Sequence, residues 1–246
     1  MKKAIALLLT LILSIGLTAC NSDSNTQGAT TTSSPSHTEG TSSEASTEPE
    51  NSAVPDESTQ GPANGETTNI LIAYFSWADN AFIEGEVDAV ASTSVTAPGH
   101  VAQLASWVQE ETGGDTFSIQ VTEPYSSDWD ECLDRANDER SQNARPELTE
   151  TVENIKDYDV VFLGYPNWWY GAPMALLSFI EQNDLSDKQI YLFCSHGTGG
   201  LAGSVEDIEG VLPDSATLSD NVFDVYEEDA SGAQNDILSW LSELGY

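Results

Sequence analysis

The chain is poor in positive charge, in cysteine and in histidine. Of its 246 residues only 7 are Lys or Arg, against 41 Asp and Glu, for a formal net charge of −34. So sparse a basic complement excludes a nucleic-acid binder, whose affinity rests on neutralising phosphates. Arg135, Arg140 and Arg145 stand among acidic neighbours and read as local salt-bridge partners rather than a dinucleotide clamp. No GxGxxG fingerprint for NAD(P) is present. The three cysteines form no CxxC pair or zinc spacing, and His37, His100 and His196 show no metal-ligand spacing, so no metal site is expected. Much of the acidity reads as a solubilising surface.

Long apolar runs are scarce too, and the main one opens the chain. Met1 to Ala19 carries Lys2 and Lys3, then an apolar stretch too short for a comfortable bilayer span, and ends Leu17-Thr18-Ala19-Cys20. This is a secretion leader, residues 1–19. Its LTAC ending resembles the bacterial lipoprotein box, which implies cleavage before Cys20 and a diacylglyceryl group on that thiol; an ordinary cleaved leader is the alternative. A chain anchored in this way sits on the extracytoplasmic face of the cell membrane, held by two or more acyl chains. Cleavage removes two lysines and leaves a charge of about −36.

Residues 20–68 are the expected lipidated cysteine and tether. From Asn21 to Thr68 the composition is nearly all Ser, Thr, Glu, Asn, Gly and Pro, with Val54 the only large aliphatic residue. Such a segment buries too little apolar surface to offset ordering entropy and reads as disordered. As a flexible coil it spans about 35–40 Å.

Residues 69–246 make one domain with strand and helix alternating. Ile70 to Phe75 is an apolar strand; Val101, Leu104, Ala105 and Val108 fall on one helical face; Phe117 to Val121 is a second strand. Residues 128 to 142 read as a charged helix, Asp157 to Tyr165 as the third strand, and Leu176, Leu177 and Ile180 as the next helix. Gln189 to Cys194 is the fourth strand and Leu201 to Ile208 a helix. A weaker fifth strand lies between Ser215 and Val225, before a closing helix through Ile237, Leu238, Leu241 and Leu244. Five strands with intervening helices define an α/β fold with a doubly wound parallel sheet. Cys132 and Cys194 either pair as a disulfide outside the cytoplasm or stay as packed thiols.

The segment Asp159 to Pro173, DVVFLGYPNWWYGAP, carries the most chemistry. Val160 to Leu163 is an unbroken apolar run, as in a central strand covered on both faces. Ligands of open α/β sheets bind beyond the carboxyl ends of such strands. There Tyr165, Trp168, Trp169 and Tyr170 place four rings, with Pro166 and Pro173 stiffening the loop. A flat aromatic ligand suits this loop; capping of the core or of a protein interface is the other reading. Two more strand ends, Ser76-Trp77-Ala78-Asp79-Asn80 and Ser195-His196-Gly197-Thr198-Gly199-Gly200, are small polar turns able to offer N–H groups, or plain turn chemistry.

On these three loops the chain resembles the flavodoxin-like family across nearly all of residues 69–246. The resemblance implies strand order 2-1-3-4-5 with helices on both faces and FMN bound at the switch point. It implies a phosphate loop at Ser76, Trp77, Ala78 and Asn80. A ring loop follows at Pro166, Asn167, Trp168, Trp169, Tyr170 and Gly171, and a third at Ser195, His196, Gly197, Thr198 and Gly199. One departure stands out: Ala81 to Ala97 intervenes before Pro98-Gly99-His100-Val101 begins the first long helix. The N–H groups of Gly99, His100 and Val101 are then candidates for the anion, with His100 either adding charge or standing as a plain helix-terminal imidazole.

The expected function is that of a surface-anchored FMN protein carrying electrons outside the cytoplasm to a redox partner or small electron acceptor. An FMN-dependent NAD(P)H or quinone reductase is the alternative. Beyond these stand a non-catalytic lipoprotein that binds an aromatic ligand or a protein, and a hydrolase using Ser195. The hydrolase is disfavoured because Phe193-Cys194-Ser195-His196-Gly197 lacks the first glycine of a GxSxG elbow. No side chain is assigned as a catalytic acid or base, since a flavin carries its own chemistry.

Overall fold

The computed structural model describes residues 68–83 and 92–246. The leader, Cys20 and the tether through residue 67 lie outside the described residues, as does 84–91 within the expected insertion. In chain order, β1 (Ile70–Phe75) leads into a short helix α1 (Trp77–Asn80) and a two-residue strand β2 (Ala81–Phe82). Then come α2 (His100–Thr112), β3 (Asp115–Ile119), β4 (Tyr125–Ser126), α3 (Trp129–Ser141) and β5 (Val160–Pro166). The chain continues through α4 (Met174–Gln182), β6 (Gln189–His196), α5 (Ser204–Glu209), β7 (Thr217–Leu218), β8 (Phe223–Tyr226) and α6 (Gln234–Leu244).

The main sheet runs β3-β1-β5-β6, with both β7 and β8 on the far side of β6, and every pairing is parallel. This is the 2-1-3-4-5 order, its fifth strand broken in two. Gln189 pairs with Thr217 and Phe193 with Phe223, so the edge strand uses two more residues than its neighbour over the same stretch. A bulge of this kind interrupts an edge that would otherwise template unwanted pairing. The second strand is earlier than Phe117 to Val121: register against β1 pairs Leu71 with Asp115 and Phe75 with Ile119. Beyond Ile119 the ladder stops, and the Val121 N–H goes instead to Asn80 Oδ1. β2 and β4 form a separate parallel ladder.

Side chains alternate across a strand, and the two faces of this sheet collect two cores. Leu71, Ala73 and Phe75 of β1 join Val161, Leu163 and Tyr165 of β5 on the face covered by α4. Ile70 and Ile72 join Val160 and Phe162 on the face covered by α2 and α6. Burial on both sides is why β5 shows no polar alternation. Each fully buried large side chain, Phe162 among them, contributes about 1.5–3 kcal/mol. Gly164 is required in β5 because a Cβ there would sit 2.2 Å from the Phe193 ring.

The helices follow from spacing and caps. Val101, Leu104, Ala105 and Val108 are all buried on α2, which ends at Gly113 in the left-handed region with its N–H on Gln109 O. Helix α3 starts at Asp128, whose side chain accepts from the Glu131 N–H at 3.0 Å. Cys132 and Cys194 are both buried and free, so the disulfide option is not realised.

Candidate functional site

A cavity of about 300 Å³ opens at the carboxyl ends of β1, β5 and β6. Register brings its two principal loops together: Tyr165 and Pro166 pair with Cys194 and Ser195, and the Asn167 N–H donates to Ser195 O at 2.9 Å. Pro166, Asn167, Trp168, Trp169 and Tyr170 line it from one side, and Ser195, His196, Gly197, Thr198 and Gly199 from the other, with Trp77 at its floor. Ser76, Ala78, Asn80, Gly99, His100, Val101 and Gly171 are not in its wall.

Apart from Trp77, the β1 loop stays out for a clear reason. It is a helical turn rather than an open polar loop, with Ser76 and Asn80 buried. Asn80 Nδ2 donates to Ser76 O and to Ile119 O, each at 2.9 Å, while its Oδ1 accepts from Val121. Two of these bonds tie the turn to the end of β3, and the third closes it on Ser76. Gly99, the residue capping α2, has φ 76°, and a Cβ there would lie 2.6 Å from Ser76 Oγ. The glycine therefore lets α2 begin in direct contact with the turn. His100 is buried beside it, its Nε2 2.8 Å from Thr93 Oγ1. Burial holds this imidazole below its usual range, with the Glu227 carboxylate acting the other way.

The aromatic loop is built differently. Trp168 N–H donates to Gly171 O at 2.9 Å and Gly171 N–H returns the bond to Trp168 O at 3.0 Å, closing a tight turn. Its two central residues, Trp169 at φ 55° and Tyr170 at φ 59°, both occupy the left-handed region, the geometry of a type I′ turn. For a side chain bearing Cβ this costs about 1–2 kcal/mol per residue. Strain of that size persists only where neighbours over-determine it. Here they do. Arg140 Nη1 meets Asp207 Oδ2 at 2.7 Å, and the same carboxylate oxygen accepts from the Ala172 N–H at 3.1 Å. This α3–α5 ion pair fills the space under Gly171, where a Cβ would fall 1.9 Å from Arg140. Gly203 N–H donates to Tyr170 O from the other side.

The rings are sorted by depth. Trp168 packs edge-on against Phe75, Tyr125 and Trp77, at centroid distances of 5.2, 5.1 and 6.3 Å, and lies half-buried against the core. Tyr170 stands furthest out, 69% exposed with its ring against Gly199, and Trp169 is half-buried. Asn167 contributes a polar mark: its Nδ2 donates to Gly200 O, which leaves Oδ1 as a buried acceptor without a partner.

Sequence reading missed two parts of the wall. One is the inner face of α3, where Trp129, Cys132, Leu133 and Ala136 meet the cavity. Their spacing of three, four and seven is helical, a faint apolar stripe that the surrounding charges conceal. Burial pushes the Cys132 thiol up to about 12, so this cysteine is a packing group and not a nucleophile. The other part is Ser92, Ser94 and Glu227, which carry no periodic signal. Ser92 Oγ donates to Glu227 Oε2 at 2.7 Å and lies 2.7 Å from Ser94 Oγ. Ser195 lacks the base a hydrolase needs, since both nitrogens of His196 are engaged elsewhere, with Gly197 O and Asp224.

An open parallel sheet with an aromatic crevice at its strand ends defines a ligand-binding α/β protein of the doubly wound class. A family model described as flavodoxin matches residues 89–243, and the chain belongs to that family. Among solved structures, a candidate flavoprotein from Bacteroides eggerthii is similar at 26% identity and a TM-score of 0.51, over 73% of this chain and 99% of that one. A candidate flavoprotein from Bacteroides uniformis shares the fold at 20% identity and a TM-score of 0.53, over 72% and 99%. No match was found among curated proteins.

Proposed function

We propose that the protein binds FMN in the aromatic cavity and carries electrons outside the cytoplasm from a lipid-anchored position at Cys20. The observation that carries the cofactor reading is the presence of Trp169 and Tyr170 in one cavity wall with the orphaned Asn167 acceptor. Flat rings suit a flat heterocycle, and a buried acceptor without a partner suits a ligand that brings an N–H, as the pyrimidine edge of a flavin does. Bound there, the flavin supplies the redox chemistry, and the chain supplies orientation, exclusion of water and field.

Support for the phosphate end is of another kind. Ser92 and Ser94 line the cavity, and the first N–H groups of α2, which lie outside its wall, have no side-chain cap. Hydrogen bonds to a charged group contribute about 1.5–3 kcal/mol each, so an anion is held without Lys or Arg. The carrier reading, rather than a reductase fed by NAD(P)H, is favoured because no Lys or Arg lines the cavity and the chain carries −34.

The visible spectrum of the purified protein, with mass spectrometry of any released chromophore, tests the cofactor. Titration with FMN and with riboflavin then tests the phosphate end: a tighter FMN complex is expected, and equal affinity overturns that part. Stopped-flow reduction by NADH or NADPH is expected to be slow, and a fast saturable phase promotes the reductase.

A further inference from the structure

Glu227 directly follows β8 and carries the one carboxylate in the cavity wall, which among the described residues holds no Lys or Arg. Its backbone is fixed, since its N–H donates to His196 O at 2.8 Å. Its side chain reaches back to the segment before α2 and accepts from Ser92 Oγ at 2.7 Å, with the other carboxylate oxygen beside Gly197. Ser94 Oγ lies 2.7 Å from Ser92 Oγ, and the Ser94 N–H donates to the same oxygen at 3.2 Å.

A serine hydroxyl has one proton to give. That of Ser92 goes to Glu227, so the short Ser94–Ser92 contact is a hydrogen bond only with Ser94 as its donor. Both protons then run toward the carboxylate, and the Ser92–Glu227 distance is that of a charge-assisted bond. Neither nearby imidazole is hydrogen-bonded to Glu227: His100 Nε2 faces Thr93 Oγ1, and His196 faces Gly197 O and Asp224.

We propose that Glu227 is the specificity-determining residue of the cavity, an internal anion that holds the Ser92 and Ser94 donors a ligand phosphate would use. This role rests on the flavin reading above, with its phosphate end at these serines. Glu227 has to swing aside for a phosphate, or else stand beside it as a like charge with the serine protons turned away. Toward an uncharged ribityl end it imposes neither cost, because hydroxyls donate to a carboxylate as readily as they accept from a serine. The cavity therefore prefers FMN to riboflavin by less than its donors alone would give.

Affinities for FMN and for riboflavin, read by flavin fluorescence in the full-length protein and in Glu227→Gln, test this role. The ratio in favour of FMN is expected to rise about tenfold in the variant, the gain from one hydrogen bond to a charged group. An unchanged or smaller ratio overturns the proposal. In a Ser92→Ala background the same substitution is expected to raise the ratio by no more than about threefold, because the released donor is gone. A full tenfold rise there overturns the part given to the serines. Inorganic phosphate titrated into flavin-free protein, against chloride at matched ionic strength, is expected to raise the Tm of Glu227→Gln more than that of the wild type. If neither flavin binds to the wild type, the cofactor reading fails, and this titration alone decides: equal shifts in the two proteins overturn the hold of Glu227 on the donors.

Discussion

Two strand ends in this molecule are made of opposite materials. After β1, Asn80 turns inward and spends its amide on the fold, tying Ser76 to Ile119 and Val121. After β5, large rings are turned outward in a backbone that disfavours them, with Trp169 and Tyr170 both left-handed. The first end is satisfied and closed, and the second is strained and open. A turn that stabilises the fold has nothing left for a ligand, whereas one that serves a ligand draws its stability from an ion pair beneath it.

Disabling the two ends therefore has different signatures. The largest effect is expected from Asn80→Ala, which strips the buried Ile119 O and Val121 N–H of their side-chain partner at about 1–3 kcal/mol each. A fall of about 3 kcal/mol or more in unfolding free energy, read from the denaturant midpoint, is the outcome. A loss below about 1 kcal/mol makes the closed turn dispensable.

Asp207→Ala is expected to act on binding more than on stability. Its partner Arg140 is one-third exposed, so the pair itself contributes no more than about 1 kcal/mol to the fold. Release of the turn is expected to weaken FMN about five- to tenfold and to brighten flavin fluorescence as the stacked rings loosen. Equal loss of stability and affinity would erase the distinction between the ends.

Tyr170→Gly is the finer test. Removing a left-handed Cβ is expected to raise stability by up to about 1 kcal/mol, and removing the ring to lower flavin affinity. The two changes run in opposite directions in one variant, which thermal unfolding with and without FMN reads together. A destabilised Tyr170→Gly protein would mean the turn is not strained.

The smallest effect at neutral pH concerns Cys132. Burial, opposed by Arg135, raises its thiol to about 12 in the fold, above the roughly 8.5 of an unfolded chain. Folding thus favours the neutral thiol, so its contribution is fully present below about 8.5 and is lost as pH rises toward 12. Urea midpoints of the wild type are expected to fall more steeply across that alkaline window than those of Cys132→Ala.

The parallel α/β class was legible in the sequence because burial on both faces leaves unbroken apolar runs such as Val160 to Leu163, whereas strand order came only through the family resemblance. The aromatic half of the site was legible for a related reason: rings clustered after a buried strand have little structural use elsewhere. What stayed hidden depends on pairings distant in sequence. Ser92 meets Glu227 across 135 positions, and Asn80 meets Val121 across 41. Composition alone cannot show that a polar residue's hydrogen bonds are already spent, so Asn80 read as an open donor. Arg140 was recognised as a salt-bridge partner, but its place under Gly171 required the fold.

The direction of the strands has a practical consequence. All main-sheet pairings are parallel, so the chain enters β1 at one pole, where the Asn69 N–H is fastened to Asp159 at 3.1 Å, and the cavity opens at the other. Handle and mouth are opposed. A load applied at Asn69 therefore pulls on the middle of the sheet and leaves the ligand's doorway at the opposite pole untouched.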